Sequence, residues 1–402
     1  MKILVVTQYF WPETFRINDL CMGLKHKGHD VHVLTGKPNY PKGKFYEGYN
    51  TFSNASEEWN GIKIHRSILI ARGDGGGIRL LLNYFSFAFF ASLRVLFIKG
   101  NFDKIFVYEP SPITVGIPAI FAKMRFKAPI YFWVQDLWPE SLLAGGGIEN
   151  RFVLGFFNGL TKFIYKHSKF ILIQSKAFKS YILEQGVEER KILYYPNSTE
   201  GFYRVIDEDK NYATTLPIGF KLMFAGNIGE AQSIETLLLA SKILKEKNIQ
   251  VKWIILGEGR MKNTILDKVK VNKLEKEFFF LGSYPVKEMP HFFSCADALI
   301  VSLKKDNIFA LTIPSKIQSY LACGRPIIGS LDGEGARIIS ESEAGFSADA
   351  EDELGLANAV ERFYNLSDYD KHTMGNNARI YYEKEFDRDV LIDKLITILG
   401  YE

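Results

Sequence analysis

Short blocks of consecutive apolar residues recur along the chain, separated by stretches with helical spacing. The first block, Ile3–Thr7, is followed by a loop and then by Asp19–Lys27, an amphipathic stretch that Gly28 ends. Val31–Thr35 is the next block. Strand, helix, Gly-His-Asp turn and strand make a βαβ unit, and blocks at Asp103–Tyr108, Ile130–Val134 and Phe170–Gln174 extend it into a parallel α/β sheet. The pattern restarts at Lys221–Ala225. It continues through Lys252–Leu256, Glu277–Leu281, Ala298–Ser302 and Pro326–Gly329, then closes in helical sequence. A second α/β sheet is predicted there, with the polar stretch from Tyr194-Tyr195-Pro196-Asn197-Ser198 to Pro217 as linker. Open sheets of this kind bind ligands at the carboxyl ends of their strands, so a cleft between the two domains is the expected site.

Residues 78–98, IRLLLNYFSFAFFASLRVLFI, are the most hydrophobic segment, interrupted by Asn83, Ser86 and Arg94. A bilayer-spanning helix needs about 20 predominantly apolar residues and tolerates charge poorly, which argues against a transmembrane reading. Two readings remain for the segment: a buried core helix, or a helix that dips into the lipid interface.

Composition narrows the class. The chain has 402 residues, 47% apolar and 24% charged, which suits a soluble two-core protein. Its three cysteines, Cys21, Cys295 and Cys323, are too few and too scattered for a disulfide framework or a zinc cluster, and a reducing cytoplasm is expected. The start, MKILVVTQYFWPE, reads as a buried strand rather than a signal peptide. Net charge is +4, yet residues 1–200 carry 25 Lys and Arg against 16 Asp and Glu, while residues 201–402 carry 25 against 30. A basic first half points to an anionic partner, phospholipid or nucleic acid. Arg79, Lys99, the Lys123-Met124-Arg125-Phe126-Lys127 cluster and the aromatic-basic run Lys162–Lys179 lie near the apolar segment and favour anionic lipid.

The turn after the first strand, Thr7-Gln8-Tyr9-Phe10-Trp11-Pro12-Glu13, has no glycine, so a dinucleotide fingerprint is missing. P-loop, zinc-protease and lipase-type motifs are missing as well. The second half offers glycine loops instead. Phe224-Ala225-Gly226-Asn227-Ile228-Gly229 and Leu256-Gly257-Glu258-Gly259-Arg260 each follow a strand, where glycine lets backbone approach a phosphate or nucleoside. Leu311-Thr312-Ile313-Pro314-Ser315-Lys316 opens a helix, with Thr312 as candidate cap and Pro314 in its first turn. The helix N-terminus, Ser315 and Lys316 together suit a diphosphate. In the first half, Asp136 follows the apolar strand IYFWV and is the candidate catalytic acid, or else caps the segment before Pro139. Glu13 and Arg16 lie on the first βα loop and either contact acceptor groups, with Glu13 and Lys316 as catalytic candidates beside Asp136, or pair with each other.

These residues resemble the retaining family 4 glycosyltransferases, and more closely their WbuB-like branch, assigned to L-fucosamine transfer in bacterial surface polysaccharides. The likeness runs through TQYFWPETFRINDL, VQDLWPE, YYPNS, FAGNIGEAQSIETLL, ILGEGRMK, FLGSYPVKEMPHFFSCADALIVSL and TIPSKIQSYLACGRPII. It implies a GT-B fold: two Rossmann-like domains at 1–200 and 201–380, with a helix at 381–402 returning to the first. It also implies transfer from a UDP-sugar to a polyprenyl-diphosphate-linked saccharide, without an obligatory metal or other cofactor, at the cytoplasmic membrane face. Carried over by position, Gly226, Asn227 and Gln232 would lie at the diphosphate, Arg260 near the phosphates and Tyr284 beside the base. Thr312, Ser315 and Lys316 would hold diphosphate and ribose, and Glu334 and Arg337 would lie near the ribose or donor sugar. The chain departs from the family pattern in four places. Asn227 and Gln232 stand where many members have Arg and Lys, and Ser319 and Leu311 stand at or near a pair of expected glutamates. Two other classes share the double-Rossmann layout: a nucleotide-sugar 2-epimerase and a non-catalytic nucleotide-sugar scaffold.

Overall fold

The computed structural model describes residues 1–73, 77–142 and 150–401. The chain divides into two units, Met1–Pro196 with Leu391–Glu402, and Asn197–Val390. The expected boundaries at 200/201 and 380/381 therefore move. Tyr382 and Phe386 pack in the core of unit 2, whereas Leu391, Ile392, Leu395, Ile398 and Leu399 pack in the core of unit 1.

Among the described residues unit 1 holds eight strands: β1 Lys2–Val6, β2 Asp30–Gly36, β3 Ser56–Trp59, β4 Ile62–Ser67, β5 Lys104–Glu109, β6 Ile130–Val134, β7 Phe170–Ile173 and β8 Ile192–Tyr194. Their order is β3-β4-β2-β1-β5-β6-β7-β8, parallel except that β3 runs antiparallel to β4. The central strands are apolar on both faces because helices cover both. Ile3, Val5, Tyr131 and Trp133 pack with α1 (Arg16–His26) and the C-terminal residues. Toward the other face, the Phe132 ring meets Tyr165 of the helix Arg151–His167. Three helices associate here: α2 Gly77–Val95, α3 Gly116–Phe126 and α4 Arg151–His167. Lys123 Nζ donates to the His167 carbonyl at 2.6 Å, and Arg125 donates to the carbonyls of Leu96 and Ile98, tying α3 to α4 and to the end of α2.

Among the described residues α2 is the one helix long and apolar enough to cross a membrane. It lies against the sheet, with Asn83, Tyr84, Phe87, Ala88, Ala91, Ser92 and Val95 buried. Asn83 is satisfied there, accepting from Gln8 Nε2 at 2.7 Å and donating to the Ile70 carbonyl at 2.6 Å. The core-helix reading therefore describes one side of α2.

Unit 2 holds six parallel strands, β9 Phe220–Ala225, β10 Val251–Leu256, β11 Phe278–Gly282, β12 Ala298–Ser302, β13 Ile327–Ser330 and β14 Gly345–Ala348, in the order β11-β10-β9-β12-β13-β14. The chain moves outward from β9 to β11 and then returns to the far side of β9. The topological switch point of unit 2 therefore lies between β9 and β12, and that of unit 1 between β1 and β5.

Candidate active site

A pocket of about 510 Å³ opens in unit 2 and is lined by the loops after β9 and β10, the Ser283–Val286 stretch and the helix Ser315–Ala322. The two glycine loops lie against each other. Gly226 N donates to the Leu256 carbonyl at 2.9 Å and Ile228 N to the Glu258 carbonyl at 2.9 Å. A Cβ on Gly257, whose φ is +143°, would fall 1.9 Å from the Gly226 carbonyl oxygen. Only glycine permits that approach, which is why the backbone itself forms the pocket wall.

Lys316 stands in the first turn of the helix Ser315–Ala322. Its ammonium lies 4.7 Å from the Phe224 ring centroid and donates to Gln232 Oε1. Burial draws its pKa down to about 8. Its stem lies across Gly226, where a Cβ would meet Lys316 Cε at 2.6 Å. A half-buried cation, the first-turn amides and the positive end of the helix dipole thus converge beside the glycine loops, an arrangement that receives an anion.

The helix begins two residues later than a cap at Thr312 would start it. Pro314 is its N-cap residue and makes no side-chain cap, so the expectation of Thr312 as cap is corrected. Thr312 ends the preceding helix, Asn307–Leu311, and its hydroxyl donates to the Phe309 carbonyl at 3.1 Å.

Of the sequence-derived donor residues, Gly226, Asn227, Gly257, Tyr284, Ser315 and Lys316 line this pocket, and Gln232 joins through Lys316. Arg260 is exposed and faces Glu230 at 3.7 Å. Glu334 is buried and held by Arg337 at 2.8 Å, and Arg337 also pairs with Glu341. Arg260, Thr312, Glu334 and Arg337 are not part of the pocket wall. Ser319 and Tyr320 do line it. Tyr320 accepts from Ala225 N at 3.2 Å and fixes the helix to the end of β9. Their i, i+4 spacing from Ser315 and Lys316 was the available signal for both.

In unit 1, Glu13 is buried with its carboxylate turned inward. Oε1 accepts from the amides of Asn39 and Tyr40 at 2.8 and 2.7 Å, and Oε2 from Phe10 at 3.2 Å. Desolvation raises its pKa to about 7 against the pull of these amides. The geometry gives Glu13 loop-organising contacts. Arg16 opens α1 and exerts its charge on Tyr108. Asp136, after β6, is desolvated and its pKa rises to about 7.

Sequence reasoning passed over Glu109 at the end of β5. It is fully buried, with Oε1 accepting from Ser111 N at 3.1 Å and Oε2 without a partner among the described residues. Burial, and then the neighbouring Asp136, push its pKa well above the usual carboxylate range. The signal existed: Glu109 is the first charged residue to close the apolar run IFVY, just as Asp136 closes IYFWV.

Two family models match the chain, a glycosyl transferase 4-like domain over residues 14–198 and glycosyl transferases group 1 over residues 219–365. A protein assigned as glycosyltransferase WbjE of Pseudomonas aeruginosa is 23% identical over 296 residues, 71% of each chain. A protein assigned as a colanic acid biosynthesis glycosyl transferase, WcaI of Escherichia coli K12, is 25% identical over 346 residues, covering 81% of this chain and 82% of its own. Among solved structures, Anabaena Alr3699/HepE in complex with UDP superposes over 100% of both chains, with a TM-score of 0.70 at 12% identity. The paired parallel-sheet units are those of a GT-B enzyme. With both halves matched, the chain belongs to family 4 of the GT-B glycosyltransferases.

Proposed function

We propose that this enzyme transfers a sugar from a UDP-sugar to a polyprenyl-diphosphate-linked saccharide in the synthesis of a bacterial surface polysaccharide, at the inner face of the plasma membrane. The observation that carries the reading is the unit 2 pocket, where backbone glycines and Lys316 at a helix N-terminus meet. Support comes from the UDP held by a chain of similar fold and from a relative named for colanic acid biosynthesis. N-acetyl-L-fucosamine is the donor sugar favoured by the likeness of TIPSK to the WbuB-like branch.

In this reading Gly226, Asn227, Gln232, Gly257, Tyr284 and Ser315 hold the nucleotide diphosphate. The bond from the anomeric carbon to the β-phosphate oxygen breaks, and negative charge grows on that phosphate. Lys316 and the helix N-terminus meet this charge, so no obligatory metal is invoked. The acceptor oxygen bonds to the same carbon with retention, and its proton passes to the departing phosphate. Asp136 orients the acceptor hydroxyl or a hydroxyl of the donor sugar.

The test incubates the protein, with and without EDTA, with UDP-sugars and extracted polyprenyl-linked acceptor. Transfer with retained configuration, equal in both conditions, is expected; donor epimerisation without acceptor, or no reaction, overturns the reading. Lys316→Ala should lower turnover by about a hundredfold or more, the scale of a lost transition-state contact, while changing the melting temperature little. Unchanged turnover would remove Lys316 from the site.

A further inference from the structure

Helix α2 is apolar on both sides. Its inner side packs on the sheet, while Ile78, Leu82, Phe85, Phe89, Leu93 and Leu96 form an outward stripe at helical spacing that continues just past its end. Ile78 is 80% exposed and Phe89 60%. A helix apolar all round is normally covered on all sides. The stripe also continues sideways. The Phe85 ring lies 6.1 Å from that of Phe156 on α4, and Phe152, one turn earlier on α4, is 90% exposed. Met124 on α3 and Phe163 on α4 are exposed as well. Monomeric soluble proteins rarely leave so broad an apolar surface bare.

Charge on the same helices has one sign. α2, α3 and α4 contain no Asp or Glu, while they carry Arg79, Arg94, Lys123, Arg125, Arg151, Lys162 and Lys166. Five of these seven, Arg79, Arg125, Arg151, Lys162 and Lys166, are exposed. A second copy of the chain would set this row of cations against itself. A surface of aromatic and aliphatic side chains on helices that carry cations and no carboxylate matches an anionic bilayer, whose headgroups meet the cations while the rings enter the acyl boundary.

We propose that the joint outer face of α2, α3 and α4 is the surface on which this enzyme sits on an anionic lipid bilayer. The same helices hold the loop that carries Asp136. The Phe157 ring of α4 lies 5.2 Å from Trp138, and Tyr84 of α2 lies 6.2 Å from Trp138. On the proposed acceptor reading, docking by this face presents that loop to a lipid-anchored saccharide. The docking itself does not depend on that reading.

The experiment is sedimentation of the full-length protein with vesicles of phosphatidylcholine alone or mixed with phosphatidylglycerol, at low and high salt. Thermal melting and UDP binding serve as checks on the fold. Wild type should bind the mixed vesicles, and salt should weaken that binding. The exposed-ring variant F89S/F152S/F156S should lose about tenfold or more of it, and R151Q/K162Q/K166Q should lose most of its salt dependence. Both variants should melt and bind UDP as wild type does. Three results overturn the proposal: wild type remaining in the supernatant with both vesicles, equal binding to neutral and anionic vesicles, or dimerisation in solution that the ring variant abolishes. Loss of transfer with intact vesicle binding would count against the proposed function and leave this surface standing.

Discussion

Burial moves Asp136 and Lys316 in opposite directions, the carboxyl up to about 7 and the ammonium down to about 8. Both are wanted charged, so kcat/KM should peak between these values, falling below about 7 as Asp136 takes up a proton and above about 8 as Lys316 loses one. Burial, and then the neighbouring Asp136, oppose the charge of Glu109 as well. Asp136→Asn should lose most transfer together with the acid limb. Its stability carries an independent sign. A carboxyl whose folded pKa is raised stabilises the fold most at low pH, and that stability declines as pH rises toward about 7. Asp136→Asn, which has nothing to ionise, should therefore melt at or above wild type at about pH 8. An unfolded variant, or a wild-type rate profile flat across neutrality, would count against the assignment.

At the scale of elements, the pocket depends on two loops that no side chain can separate. Gly257→Ala would place a methyl 1.9 Å from the Gly226 carbonyl oxygen at a φ of +143°, so both loops must move. UDP affinity, read by calorimetry, should fall about tenfold or more, since hydrogen bonds held by the backbone lose their geometry. Gly155→Ala on α4 is the control, because its added methyl meets nothing within 4 Å. Affinity unchanged in Gly257→Ala would place the nucleotide elsewhere.

These loops were legible in the sequence because glycine after an apolar strand reports a backbone requirement. The partnership of Lys316 with Gln232 was not, since it spans 84 residues and exists only once β9 and β12 are neighbours. The long apolar strands β1, β6, β9, β10 and β12 were likewise legible within about a residue. The β3–β4 hairpin was passed over because β3, Ser-Glu-Glu-Trp, is an edge strand and mostly polar. Its Asn60-Gly61 turn, both residues at positive φ, was the clue.

At the scale of the whole molecule, unit 1 is discontinuous in sequence while unit 2 is one stretch. Leu391, Ile392, Leu395, Ile398 and Leu399 share a core with Ile17, Leu24 and Trp133, and Tyr131 Oη donates to the Leu399 carbonyl at 3.2 Å. Deleting residues 391–402 should therefore abolish the melting transition of unit 1. Unit 2 should still bind UDP, its pocket being built within 197–390. A truncated protein with both transitions intact would contradict this account. The discontinuity also sets an order of events on the ribosome. The face of the unit 1 sheet that packs on α1 must wait, only partly covered, until residues 391–402 have been made. Unit 2 can meanwhile complete its fold as it is extruded, so the unit begun earlier is completed later.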